Sequence, residues 1–152
     1  MLHYTDADRG TFQNLEYARQ LVSFDGMRYE GRCGLENVTP TDIDGYIQLD
    51  LYNIFIIFEL KHIGIPSDGQ KNALVKMVDA LRHDKKNNAV LFIAEHNTDG
   101  MIIAKDAIVT KAYWRGRWFD GVNGLTLDAS IRKYIQFIRD KNKCKGDTEG
   151  KS

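Results

Sequence analysis

Proline and cysteine are scarce, with two of each in 152 residues. Cys33 and Cys144 stand far apart and follow no ligand-type repeat. That pattern excludes a disulfide framework and a zinc site, and two free thiols in a reducing compartment are expected. Net charge is lacking too, because 21 Lys and Arg offset 21 Asp and Glu. The chain as a whole exerts no pull on nucleic acid or membrane, so any hold on phosphates has to come from a local patch. Long apolar runs are missing. A run such as Ile54 to Phe58 falls far short of the roughly 20 residues that cross a bilayer. Residues 1–20 carry charges throughout and no apolar h-region, so no signal peptide is expected. The sequon Asn37-Val38-Thr39 then reads as a chance match. There is no Walker loop, no Gly-x-Ser-x-Gly, no His-Glu-x-x-His and no dinucleotide fingerprint.

What is present is ordinary for a globular protein: 43% hydrophobic and 28% charged residues. One domain over residues 1–140 is expected, with a polar, Lys- and Gly-rich tail at 141–152 expected to be disordered. Phe12, Leu15, Leu21 and Val22 recur at helical spacing and predict a first helix over about 11–24. A short strand is expected near Arg28–Glu30. Thr41 to Leu49 alternates as a strand does, Asp50 to Asn53 reads as a turn, and Ile54 to Lys61 reads as a central strand apolar on both faces. An amphipathic helix follows over about 69–83, with Leu74, Met77, Val78 and Leu81 on its inner stripe and Gln70 at the stripe's N-terminal end. Ala89 to Glu95 is a further buried strand. Met101–Ala104 and Ala107–Trp114 are expected strands, Arg115-Gly116-Arg117 a tight turn, and Thr126 the cap of a last helix reaching about Asp140. This order predicts an α/β protein with a mixed α+β sheet.

The hairpin from Asp42 to Lys61 carries the chemistry. Side chains alternate along a strand, so Asp42, Asp44, Tyr46 and Gln48 share one face. Phe55, Ile57, Glu59 and Lys61 share one face of the partner strand. A turn centred between Leu51 and Tyr52 sets Asp44 opposite Glu59, and Asp42 opposite Lys61. Opposed Cβ atoms lie about 5 Å apart. Two carboxylates at that spacing repel unless a positive group lies between them, and a hard divalent cation suits oxygen ligands. Glu59 and Lys61 also interrupt the most apolar strand, where an uncompensated charge costs several kcal/mol. A bound cation there would activate water and stabilise developing phosphate charge, with Lys61 orienting that water.

Thr39-Pro40-Thr41-Asp42-Ile43-Asp44-Gly45 followed by Ile57-Phe58-Glu59-Leu60-Lys61 resembles motifs II and III of the PD-(D/E)XK nuclease superfamily. The resemblance covers about residues 11 to 96. It implies a restriction-endonuclease-like αβββαβ core, here followed by a C-terminal hairpin and helix. It implies a metal-dependent nuclease hydrolysing DNA phosphodiester bonds with Mg²⁺ or Mn²⁺, of a structure-specific or phage or repair type. It implies a cytoplasmic setting, either the cell's own or a phage host's, and is compatible with a homodimer. By the same resemblance Asp44, Glu59, Lys61 and Gln70 are the catalytic set. Asp44, Glu59 and the Leu60 backbone carbonyl are the metal ligands, with Glu16 of the first helix assisting and Asp42 as the alternative aspartate. Gln70 also fits a capping box that starts at Ser67.

Other residues bear on DNA. Lys71 opens the second helix near the hairpin's open end. Arg115 and Arg117 flank a turn between Trp114 and Trp118 that suits phosphate contact and base stacking, or plain packing of the indoles on the sheet. Arg82-His83-Asp84-Lys85-Lys86 is accounted for by the favourable placement of cations at a helix C-terminus. His62 follows Lys61 as a further proton-transfer candidate, and His96 ends a strand. The rival reading is a catalytically inactive nucleic-acid-binding or protein-interaction module on the same fold.

Overall fold

A computed structural model describes residues 28–32, 35–38, 43–64, 69–121 and 124–146, with the backbone alone at 29–32, 35–38, 69–70 and 144–146. The expected first helix, with Glu16, and the segment holding Asp42 lie outside the described residues. The chain divides into two compact units, Met1–Pro40 and Thr41–Ser152.

In the first unit β1 (Tyr29–Arg32) and β2 (Leu35–Val38) form an antiparallel two-stranded sheet of their own. The strand expected near Arg28–Glu30 is therefore present, but it belongs to this hairpin rather than to the main sheet. Only Cys33 and Gly34 separate it from the next extended segment, so the partner nearest in sequence is the one it takes.

The second unit is a mixed α/β structure. Its elements are β3 (Gly45–Leu49), β4 (Ile54–His62), α1 (Gly69–Leu81), β5 (Asn88–His96), β6 (Ile108–Trp114), β7 (Arg117–Asp120) and α2 (Leu127–Gly146). The sheet has five strands in the order β3-β4-β5-β6-β7. A tight turn makes β3 and β4 antiparallel, whereas the α1 crossover makes β4 and β5 parallel over nine residue pairs. The β6–β7 turn takes Arg115 and Gly116 at φ 51° and 75°, the paired left-handed conformation that matches strand twist in a two-residue hairpin.

Alternation along β4 and β5 builds one core on each face. Ile57, Leu91 and Ile93 pack with Leu74 and Val78 of α1. Ile54, Ile56, Val90 and Phe92 pack with Leu127 and Ile138 of α2. Both strands are thus buried on two sides, which is why they read as near-continuous apolar runs.

Three expectations change. The inner stripe of α1 is centred on Leu74 and Val78, and Met77 is 40% exposed. The Tyr113 hydroxyl donates to both Asp79 carboxylate oxygens, at 3.1 and 3.0 Å, and sets the helix's rotation. Residues 101–103 are not a strand. They lead into a short 3₁₀ turn, Ala104–Asp106, after which the Ala107 carbonyl accepts the Leu127 N–H. Thr126 does cap α2, its hydroxyl accepting from Ala129 N–H, but the helix runs to Gly146 rather than ending near Asp140. Lysines in its last turns favour the negative end of the helix, and Asn142 bonds the Ile138 carbonyl.

Candidate active site

The β3–β4 ladder pairs Gly45 with Phe58, Ile47 with Ile56 and Leu49 with Ile54. One more step in this register sets Asp44 opposite Glu59, as the position of the turn predicts. Asp44 itself stands one residue before β3 and is exposed. Its Oδ2 accepts the Leu60 N–H at 2.7 Å, a charge-assisted bond that continues the ladder with a side chain. A strand residue turns its N–H and C=O toward the same neighbour. The Leu60 carbonyl therefore points to the side on which Asp44 lies. Gly45 fits here because a Cβ would lie 1.9 to 2.4 Å from three atoms of the Phe58 ring.

Glu59 is 3% exposed and is the one buried charged residue among those described. Lys61 Nζ donates to Glu59 Oε1 at 2.5 Å, and its side chain is 14% exposed. The pair forms because i and i+2 project from one face of a strand. It is partly shut off from water, which strengthens the attraction and compensates the burial of both charges. The same face of β3 is open. There the Tyr46 hydroxyl donates to Gln48 Oε1 at 2.9 Å, and Gln48 Nε2 reaches Asp50 Oδ1 at 3.4 Å. A polar ledge thus runs along the edge strand away from Asp44.

Gln70 lies in the first turn of α1, one turn before Leu74, and its side chain is outside the described set. Lys71 is half-buried. Arg115 and Arg117 sit at the other end of the sheet. Trp114 and Arg117 pair at the β6–β7 turn, and Tyr113 pairs with Leu91 near the start of β5, whereas Lys61 pairs with Glu95 near its end. The two arginines do not converge with Glu59 and Lys61.

The parallel register also gathers groups that reading each strand separately passes over. Glu95 stands beside Lys61 on the same face. His62 and His96 are register partners, with ring centroids 5.4 Å apart, edge to face. His62 Nε2 lies 3.4 Å from Asp99 Oδ1, and His96 Nδ1 lies 3.3 Å from Thr98 Oγ1. The sequence signal was that each histidine closes an apolar strand.

Asp44, Glu59 and the Leu60 carbonyl are hard oxygen donors of the kind Mg²⁺ accepts, and Mg²⁺ fills its remaining positions with water. Among the described residues no group of three or more His, Cys, Asp and Glu side chains gathers in metal-binding range. Comparison with protein-family models, curated proteins and solved structures returned no match.

Proposed function

We propose that this chain is a divalent-metal-dependent nuclease that hydrolyses DNA phosphodiester bonds at Asp44, Glu59 and Lys61. One observation carries the reading: a carboxylate 3% exposed, ion-paired to a lysine two residues on, at the open end of a hairpin whose register sets it opposite an aspartate. A fold gains little from such a pair, since apolar residues of similar volume do as well or better.

Asp44, Glu59 and the Leu60 carbonyl would hold Mg²⁺ or Mn²⁺. The bound ion supplies Lewis acidity and a water of lowered pKa. The chain's own residues do the rest. Glu59, fixed by its burial, orients Lys61. The Lys61 ammonium sits where it can hold the attacking water and neutralise charge on the phosphate oxygens. Asp44 is anchored through Leu60 N–H, so its carboxylate is positioned before substrate arrives. The open ledge of Tyr46 and Gln48 offers hydroxyl and amide groups to the sugar-phosphate backbone. Gln70 would join this set from the first turn of α1. A homodimer would present two such sites to two strands.

The test is cleavage of plasmid and branched DNA by purified protein with Mg²⁺, Mn²⁺ or EDTA. Activity should require the metal and fall by about 10²–10³ or more in Glu59→Ala and in Lys61→Ala. Cleavage that survives both changes would place the activity elsewhere. The closed Glu59–Lys61 pair also suits an inactive DNA-binding module, and metal-independent binding without cleavage of any substrate would establish that alternative.

A further inference from the structure

The opposite end of the sheet holds a second feature, and it does not depend on the nuclease reading. A basin of about 440 Å³ opens where β4 and β5 begin. Its cationic lining comes from the α1–β5 connection (Arg82, Lys85, Lys86), the β6–β7 turn (Arg115) and α2 (Lys141). No carboxylate stands among its described lining residues. In a chain with no net charge this is a marked local excess.

Hydrogen-bond capping of the helix does not account for it. The last carbonyls of α1 are already taken: Val78 by Arg82 N–H, Ala80 by His83 N–H and Leu81 by Asn87 Nδ2. Arg82, Lys85 and Lys86 are therefore not required as caps. Nor is the basin a loose surface. Asn87 Nδ2 holds Leu81 O at 2.8 Å, Asn88 Nδ2 holds Tyr52 O at 2.8 Å, and Asn142 Nδ2 holds Ile138 O at 2.7 Å. The asparagine donors are spent on bracing the walls.

Both hairpin turns at this end of the sheet border the basin. Among the described residues three non-glycine positions have positive φ, namely Tyr52 at 65°, Asn53 at 48° and Arg115 at 51°. All three line this basin. They are turn residues of the β3–β4 and β6–β7 hairpins, so both turns form part of the wall. The Arg115 guanidinium lies over Trp114, 4.5 Å from the ring centroid. Like charges held around one rigid hollow repel one another until an anion neutralises them.

We propose that this basin is a binding site for clustered phosphates. An isolated carboxylate would use one or two of its cations. Successive phosphates, each carrying charge and several acceptor oxygens, use the whole ring. The site lies about 25 Å from Lys61, taking about 3.3 Å for each residue of β4, and is separate from the carboxylate end. Two sources share this chemistry: a nucleic-acid backbone and a small polyphosphorylated ligand.

Trp114 is the reporter, because an anion that engages Arg115 disturbs its contact with the indole. In a Trp118→Phe background, Trp114 emission is titrated in EDTA with inorganic triphosphate, a nucleoside triphosphate and short single-stranded DNA. EDTA removes any metal bridge at Glu59, so failure here and failure of the nuclease reading are separate results. The full chain should show saturable binding. Lys85→Gln/Lys86→Gln should weaken it at least about tenfold, without loss of stability, and should lower the salt slope for single-stranded DNA by about 1.4. Arg115→Gln, followed by calorimetry, should weaken it as well. Tighter binding of DNA than of the triphosphates assigns the site to polymer backbone, and the reverse order assigns it to a small ligand. Binding by none of the three probes overturns the proposal. So does binding that the Lys85/Lys86 and Arg115 changes leave unaltered.

Discussion

The two ends of the five-stranded sheet handle charge in opposite ways. At the end of β4, a carboxylate and an ammonium are drawn out of water together as an ion pair. At its beginning, cations crowd an open basin with no acid among the described lining. The first arrangement trades solvation for fixed geometry. The second keeps solvation and tolerates repulsion, which suits capture of a charged partner better than chemistry. A balanced total of 21 acids and 21 bases hides both.

The sharpest way to break this contrast is to unpair the buried end. Glu59→Ala removes the carboxylate to which Lys61 donates and should destabilise the fold by about 3–5 kcal/mol in urea unfolding. Replacing both by methionine should be near neutral or stabilising by about 1–4 kcal/mol, while abolishing cleavage. If the single and the double change cost the same, the pair is not a coupled unit. Gly45→Ala comes next. A new Cβ against the Phe58 ring should cost about 1–3 kcal/mol and should shift Asp44, so cleavage should drop further than stability alone explains. At the basin end, Asn88→Ala removes the brace on Tyr52 O and should cost about 1–2 kcal/mol, with phosphate binding weakened but cleavage chemistry retained. The smallest effect is expected from Lys85→Gln/Lys86→Gln. Easing repulsion among exposed cations should raise stability by at most about 0.5 kcal/mol at low salt, with the gain vanishing at high salt. A large loss there would mean that the lysines hold the fold together.

Legibility in the sequence followed the range of the forces involved. The β3–β4 register was readable because a four-residue turn, Asp50 to Asn53, fixes it locally, and the pairing of Gly45 with Phe58 agrees. The two-sided burial of β4 and β5 was readable from their apolar runs. The anchoring of Asp44 on Leu60 N–H was not, since a side chain replacing a ladder acceptor leaves no periodic trace. The rotation of α1 was not, because it depends on Tyr113 and Asp79, which lie in different elements. Arg82, Lys85 and Lys86 read as helix-end charges until the fold set Arg115 and Lys141 around the same hollow. The pairing of His62 with His96 needed the parallel register, which no short motif encodes.

The hairpin turn at Asp50–Asn53 has a consequence in time as well as in space. Asp44 and Glu59 meet through a short local closure, and hairpins of this kind form in about 1–10 μs. The basin draws on segments from Tyr52 to Asn142, so it exists only after α1 has crossed over and α2 has docked. Contacts that distant in sequence are the slow ones to form. During refolding the carboxylate end should be assembled while the cationic end is still incomplete, and the emission of Trp114 would mark the moment at which the chain closes.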